Sequence, residues 1–247
     1  MPKRVALCLF GLSVYKYSPD NLHWDGNEYS IHYKHSVSNY QKYIYDYFKQ
    51  HGYEIDVYLS SNILNDQDTQ ELLDTYKPIL YSFKANEKDN TKSRNVKVDS
   101  VIDLCLSSNI RYDLVLITRF DLLFQKNFNE SAIDFNRFNM VSILEHPHLI
   151  CDNFYLFPFD MLPLFSTIVK NNIHVRHHDL QSQINGLYGS SGINYIWNEN
   201  VLVKDLSFYK ICRVKESYDS TILWIGLCIL GTGCIVYYFR KKKIRFI

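Results

Sequence analysis

The run Ile222–Phe239 (ILWIGLCILGTGCIVYYF) carries no charge and is closed by Arg240, Lys241, Lys242 and Lys243. As a helix it reaches about 27 Å at about 1.5 Å per residue, close to the hydrocarbon thickness of a thin internal bilayer. Trp224 near one end and Tyr237 and Tyr238 near the other stand where interfacial aromatics belong, and the basic cluster suits lipid headgroups. A buried core helix is the competing reading, but such helices are usually shorter and rarely end in a basic tail. The expectation is a single-pass helix at 222–239 with a basic tail at 240–247.

That leaves residues 1–212 for one well-buried domain, with 213–221 as a linker. The net charge is +1, and setting aside the five basic residues of the tail leaves −4 for the rest. A nucleic-acid binder normally shows a basic face, so that class is excluded. The six cysteines, Cys8, Cys105, Cys151, Cys212, Cys228 and Cys234, include two inside the apolar run and no C-x-x-C pair. They outline neither a disulfide framework nor a zinc site. The opening MPKRVALCLFGLSVY has a basic start, yet its apolar run is short and lacks a small-residue cleavage pattern, so it reads as a first strand rather than a signal peptide. Insertion after synthesis would leave the domain in the cytosol, whereas the positive charges beyond the run favour the opposite orientation.

Val5–Phe10 is a continuous apolar run ending at Gly11, the pattern of a strand buried on both faces. A polar stretch to about His35 reads as a loop. Ser36 or Ser38 then caps a helix in which Val37, Tyr40, Ile44, Tyr47 and Phe48 recur, stopped by Gly52. Tyr53–Leu59 reads as a strand, and strand, helix, strand opens a mostly parallel α/β sheet. Asn65–Tyr76 suits a short helix ended by Lys77-Pro78, and Pro78–Phe83 suits a strand. Asn86–Arg94 reads as a charged loop, Val96–Cys105 as a helix and Tyr112–Thr118 (YDLVLIT) as the most strand-like run. Further strands are expected at Phe138–Leu144, Asn153–Phe159, Asn194–Trp197 and Phe208–Cys212, and helices at Asp160–Asn172 and His178–Leu187.

In open α/β sheets ligands gather outside the carboxyl ends of parallel strands, so an acid just past a hydrophobic strand is well placed. Asp121 is such an acid, able to hold a hard divalent cation that bridges two phosphates. Arg119 lies two residues earlier, on the same side of a continuing strand, and a guanidinium matches phosphate geometry with paired hydrogen bonds. The bland reading of the pair is a salt bridge at a strand end.

The segments RVALCLFGLSVY, NYQKYIYDYF, YEIDVYLSSN and YDLVLITRFDLLF, in that order, resemble nucleotide-sugar glycosyltransferases of the GT-A fold, closest to members with an R-x-D signature where others carry D-x-D. SILEHPHLICDNFYLFP and HHDLQSQI are similar in kind and order to the segments downstream of the signature in those proteins. The resemblance spans most of residues 3–212 and implies a single Rossmann-like domain. Its implied partners are a nucleotide-sugar donor and a glycan, protein or lipid acceptor. Asp121 matches the last acid of the metal-binding motif, and Arg119 stands where the first acid would be, against the manganese or magnesium ion the motif otherwise implies. Asp152 falls where acceptor-site residues lie, with Glu145 as a competing base, and His177 or His178 completes a metal shell or touches phosphate. Gly11 is implied as a close-approach point for the nucleotide. Taken alone, the histidines read as a solvated cluster and Glu145 as a strand cap. The alternative function is a membrane-anchored nucleotide-sugar-binding or adaptor protein without transfer.

Overall fold

The computed structural model describes residues 2–16, 29–87, 90–142, 153–174, 183–184, 192–197, 199, 206–219 and 241–246. The apolar segment of the first strand is buried throughout, as β1 (Lys3–Gly11) lies inside a seven-stranded sheet. A short antiparallel pair comes next, β2 (Val14–Tyr15) with β3 (Ile31–His32). The expected helix runs as three consecutive segments, α1 (Lys34–Tyr40), a π-turn at Gln41–Tyr45 and α2 (Asp46–Gln50). It starts earlier than a serine cap would allow: Tyr33 takes the N-cap position without a side-chain hydrogen bond, and Ser36 lies buried inside the first turn. Gly52 ends it with φ +79, a conformation that disfavours a side chain.

β4 (Tyr53–Asn62) pairs parallel with β1 in full register, Lys3 to Tyr53 through Gly11 to Ser61. α3 (Asp66–Tyr76) is capped by Asn65, whose side chain accepts from the Asp68 amide, and it ends at Lys77 in the left-handed region. β5 (Leu80–Lys84) continues the parallel order beside β4. α4 (Asn90–Ser107) begins before Val96, so much of the segment read as a charged loop is helix. Its first turns carry no apolar stripe and are instead anchored through Ser93, Asn95 and Lys97, which are buried.

β6 (Leu114–Arg119) pairs parallel with β1 on the side away from β4. After it come β7 (Leu122–Phe124), β8 (Phe138–Met140), β9 (Phe154–Pro158), α5 (Leu162–Asn171), β10 (Ile193–Tyr195) and β11 (Tyr209–Ile211). The sheet order is β10-β8-β9-β6-β1-β4-β5. Within it β9 runs antiparallel to both β6 and β8. β11 pairs with β7 outside the main sheet. The chain changes direction at β1, laying β4 and β5 to one side and β6 to the other, which is the arrangement that opens a crevice at the strand ends. Two apolar clusters cover the sheet: Leu7, Leu9 and Leu116 face the first helix, and Ala6, Cys8, Phe10, Val115 and Ile117 lie in the cluster that contains α4 and α5 residues.

The chain divides into two compact units, Met1–Tyr15 with Ile31–Cys212, and Lys16–Ser30 with Arg213–Ile247. In the second unit β12 (Val214–Asp219) pairs antiparallel with β13 (Lys241–Phe246), with Asp219 opposite Lys241. Ser30 bridges Val214 in the same unit. The run 222–239 lies outside the described residues, among which no helix is long and apolar enough to cross a membrane. The helix expected at His178–Leu187 also falls largely outside them.

Candidate functional site

The carboxyl end of β1 is Gly11, at φ +111. A side chain there would meet no atom within 4 Å, so glycine is required by its backbone conformation and not by crowding. The chain beyond it is tied to the end of β4: the Ser13 amide donates to Ser61 Oγ at 3.2 Å and to Asn62 Oδ1 at 3.3 Å, and Asn62 Nδ2 donates to the Val14 carbonyl at 3.0 Å. This loop is therefore fixed at the edge where parallel strands end.

Beside it, β6 ends at Arg119, in register with Phe10. Two-residue periodicity sends Phe120 into the core and returns Asp121 to the side of Arg119. The first helix clamps this turn: Tyr40 Oη donates to the Arg119 carbonyl and accepts from the Leu122 amide at 3.3 Å, while Ser36 Oγ lies against the Phe120 carbonyl. From the other side the Cys212 amide donates to the Asp121 carbonyl at 2.6 Å. Burial and the nearby Asp121 carboxylate push the Cys212 thiol up to about 11, so it stays protonated.

The two side chains of the R-x-D motif close on each other. Arg119 Nε donates to Asp121 Oδ1 at 2.7 Å and Nη2 donates to Oδ2 at 2.6 Å, a paired, charge-assisted geometry. Arg119 Nη1 also reaches Asn153 Oδ1 at 3.4 Å, and Asn153 Nδ2 donates to Tyr209 Oη at 2.8 Å. Asp121 is only 3% exposed, whereas the Arg119 side chain is 22% exposed. The pair thus presents its cation outward and buries its anion.

This geometry does not fit the expected cation. A divalent ion needs open carboxylate oxygens, and magnesium keeps several waters as well, yet both Asp121 oxygens are taken by Arg119. Among the described residues no three His, Cys, Asp or Glu side chains converge on a point. In this arrangement Asp121 orients Arg119. Glu145, Asp152, His177 and His178 lie outside the described residues. Asn153, beside Asp152, is brought to the site.

Sequence reasoning missed the start of α4. Arg94 packs over the ring of Phe10, 5.0 Å from its centroid, and Nη1 donates to Asn95 Oδ1 at 3.0 Å. Phe10 is the register partner of Arg119, so Arg94 packs near the same end of the sheet. Lys97 is 2% exposed, with Nζ donating to Asn86 Oδ1 and to both oxygens of Ser93. Burial lowers its ammonium to about 8, with Glu87 opposing the shift. The only sequence signal for this group was three basic residues within six positions, Lys92, Arg94 and Lys97, which charge alone assigns to a loop. The crevice lined by Arg94, Asn95, Val98, Tyr155, Phe165, Val169 and Asn172 has no internal space even for a water molecule. It is no ligand pocket, so the strand-end geometry defines the site.

No protein-family model matches the chain, and no curated protein matches it. Among solved structures, a glycosyltransferase involved in glycosylation of the major capsid of PBCV-1 aligns at 11% identity over 77% of this chain and 76% of that one, with a TM-score of 0.38. The apo-form glycosyltransferase GlyE of Streptococcus pneumoniae TIGR4 aligns at 13% identity over 83% of this chain and 46% of that one, with a TM-score of 0.37. Likeness of this degree carries no argument about activity.

Proposed function

We propose that the chain transfers a glycosyl group from a nucleotide-diphosphate donor to a hydroxyl acceptor, tethered to a membrane through 222–239. The observation that carries this reading is the placement of Gly11 and Arg119 at the carboxyl ends of β1 and β6, on adjacent strands where the sheet order reverses. The R-x-D resemblance supplies the donor class. When the bond between the anomeric carbon and the phosphate oxygen breaks, its electron pair stays on the phosphate, and negative charge grows there. Arg119 is already oriented by Asp121 and Asn153, so it meets that charge without reorganisation. The acceptor oxygen bonds the anomeric carbon and gives up its proton, for which Asp152 or Glu145 is the proposed base. His177 or His178 is proposed to contact phosphate.

The test is a screen of nucleotide sugars for hydrolysis and transfer by the full chain in detergent, followed by Arg119→Ala. A loss of about 100-fold is expected, the scale of removing one preorganised stabiliser of the transition state. Turnover at the parental rate would end the assignment. A second reading, donor binding without transfer, is favoured by one observation, the engagement of the motif's acid with Arg119. Under it a nucleoside diphosphate at about 100 times its Kd still raises stability by about 2.7 kcal/mol, while no donor is consumed.

A further inference from the structure

We propose that Arg119 takes the place of the divalent cation at this site, so that the diphosphate is held on its guanidinium and needs no metal. The inference rests on the donor reading above and goes beyond it by naming what neutralises the phosphates. Both Asp121 oxygens accept from Arg119 at 2.6–2.7 Å, and the residue is 3% exposed. A cation entering there would have to displace a two-point, charge-assisted pair and then shed its own waters in a buried place.

Nor can the carboxylate readily swing out to meet an ion. The carbonyl of Asp121 is held by the Cys212 amide, its neighbour Phe120 is fully buried, and the turn is pinned by Tyr40 and Ser36. The guanidinium, by contrast, keeps 22% of its side chain accessible. Arg94 lies over Phe10 at the same strand ends and adds a second positive charge to that edge. A planar guanidinium held edge-on by a carboxylate matches phosphate oxygens in geometry as well as charge.

The experiment measures binding of UDP and of GDP to the full chain in detergent by calorimetry, once with EDTA and once with manganese. Manganese alone is titrated in parallel. The expected result is a Kd that agrees within about 2-fold between the two conditions, with no tight manganese site. Arg119→Lys keeps the charge and loses the fork, and should weaken binding about 10-fold in both conditions. Its fold is checked by circular dichroism, and the wild-type EDTA comparison decides the question even if this variant fails to fold. Binding that vanishes in EDTA and returns with manganese overturns the metal-free inference and leaves the donor reading standing. Absence of binding in both conditions overturns the two together.

Discussion

Arg119 and Asp121 are unequal partners, because one is partly wetted and the other is not. Arg119→Ala strands a buried carboxylate and is expected to cost about 3 kcal/mol, the lower end for breaking a buried pair. Asp121→Ala leaves a guanidinium that water can still reach and should cost less, about 1 kcal/mol. Urea unfolding of both variants checks the order, and equal losses would mean that the carboxylate is not buried as described. Lys97 gives a second prediction at this scale. Its folded pKa of about 8 lies below the ordinary value near 10.5, so the folded chain binds fewer protons between those limits. The penalty for burying the ammonium is complete below about pH 8 and is relieved as pH rises toward the unfolded value. Stability of the wild type relative to Lys97→Met should therefore rise by on the order of 2 kcal/mol between pH 8 and 10. Tyr45 and Tyr47, raised by burial to about 12, act in the opposite sense only above about pH 10. A flat difference over that window contradicts the buried ammonium.

At the scale of elements, the helices were legible in proportion to their local signals. α3 was marked by Asn65 at its start and Lys77-Pro78 at its end, and it forms there because the Asn65 side chain and the Asp68 amide satisfy each other within one turn. Asn65→Ala should cost about 1 kcal/mol in thermal unfolding while leaving nucleotide affinity unchanged, since the cap serves its own helix. A change in affinity would tie α3 to the site. The start of α4 was not legible. Asn90–Lys97 has no apolar period, and its helix is held by polar contacts such as Asn95 Nδ2 to the Asn172 carbonyl, 77 positions away. Likewise nothing local announced that β9 runs antiparallel, because strand direction is set by its neighbours β6 and β8.

For the whole molecule, β12 pairs with β13 and sets Asp219 opposite Lys241. If that pairing persists when the run meets a bilayer, a C-terminal tag and the domain should show the same protease sensitivity in sealed vesicles. A single crossing predicts opposite sensitivity and would break the strand pair. Asn129-Glu130-Ser131 gives the side: Asn129 is exposed on a short 3-10 turn at Phe128–Glu130, so a lumenal domain should be glycosylated there. A gel shift removed by endoglycosidase reports that side, and no shift in a secretory-pathway cell reports the cytosol.

By itself the sequence determined what depends on near neighbours. Apolar runs became strands, Gly11 and Gly52 took positive φ, and the two-residue spacing of Arg119 and Asp121 put both on one side of β6. Tertiary structure alone decided the sheet order, the clamp from Tyr40 across 79 positions, and the union of Arg119 with Asp121 and Asn153. The reason is physical: periodicity and backbone preference are set within a few residues, whereas the partner of a charge is chosen by whichever groups packing brings within about 3 Å and shields from water.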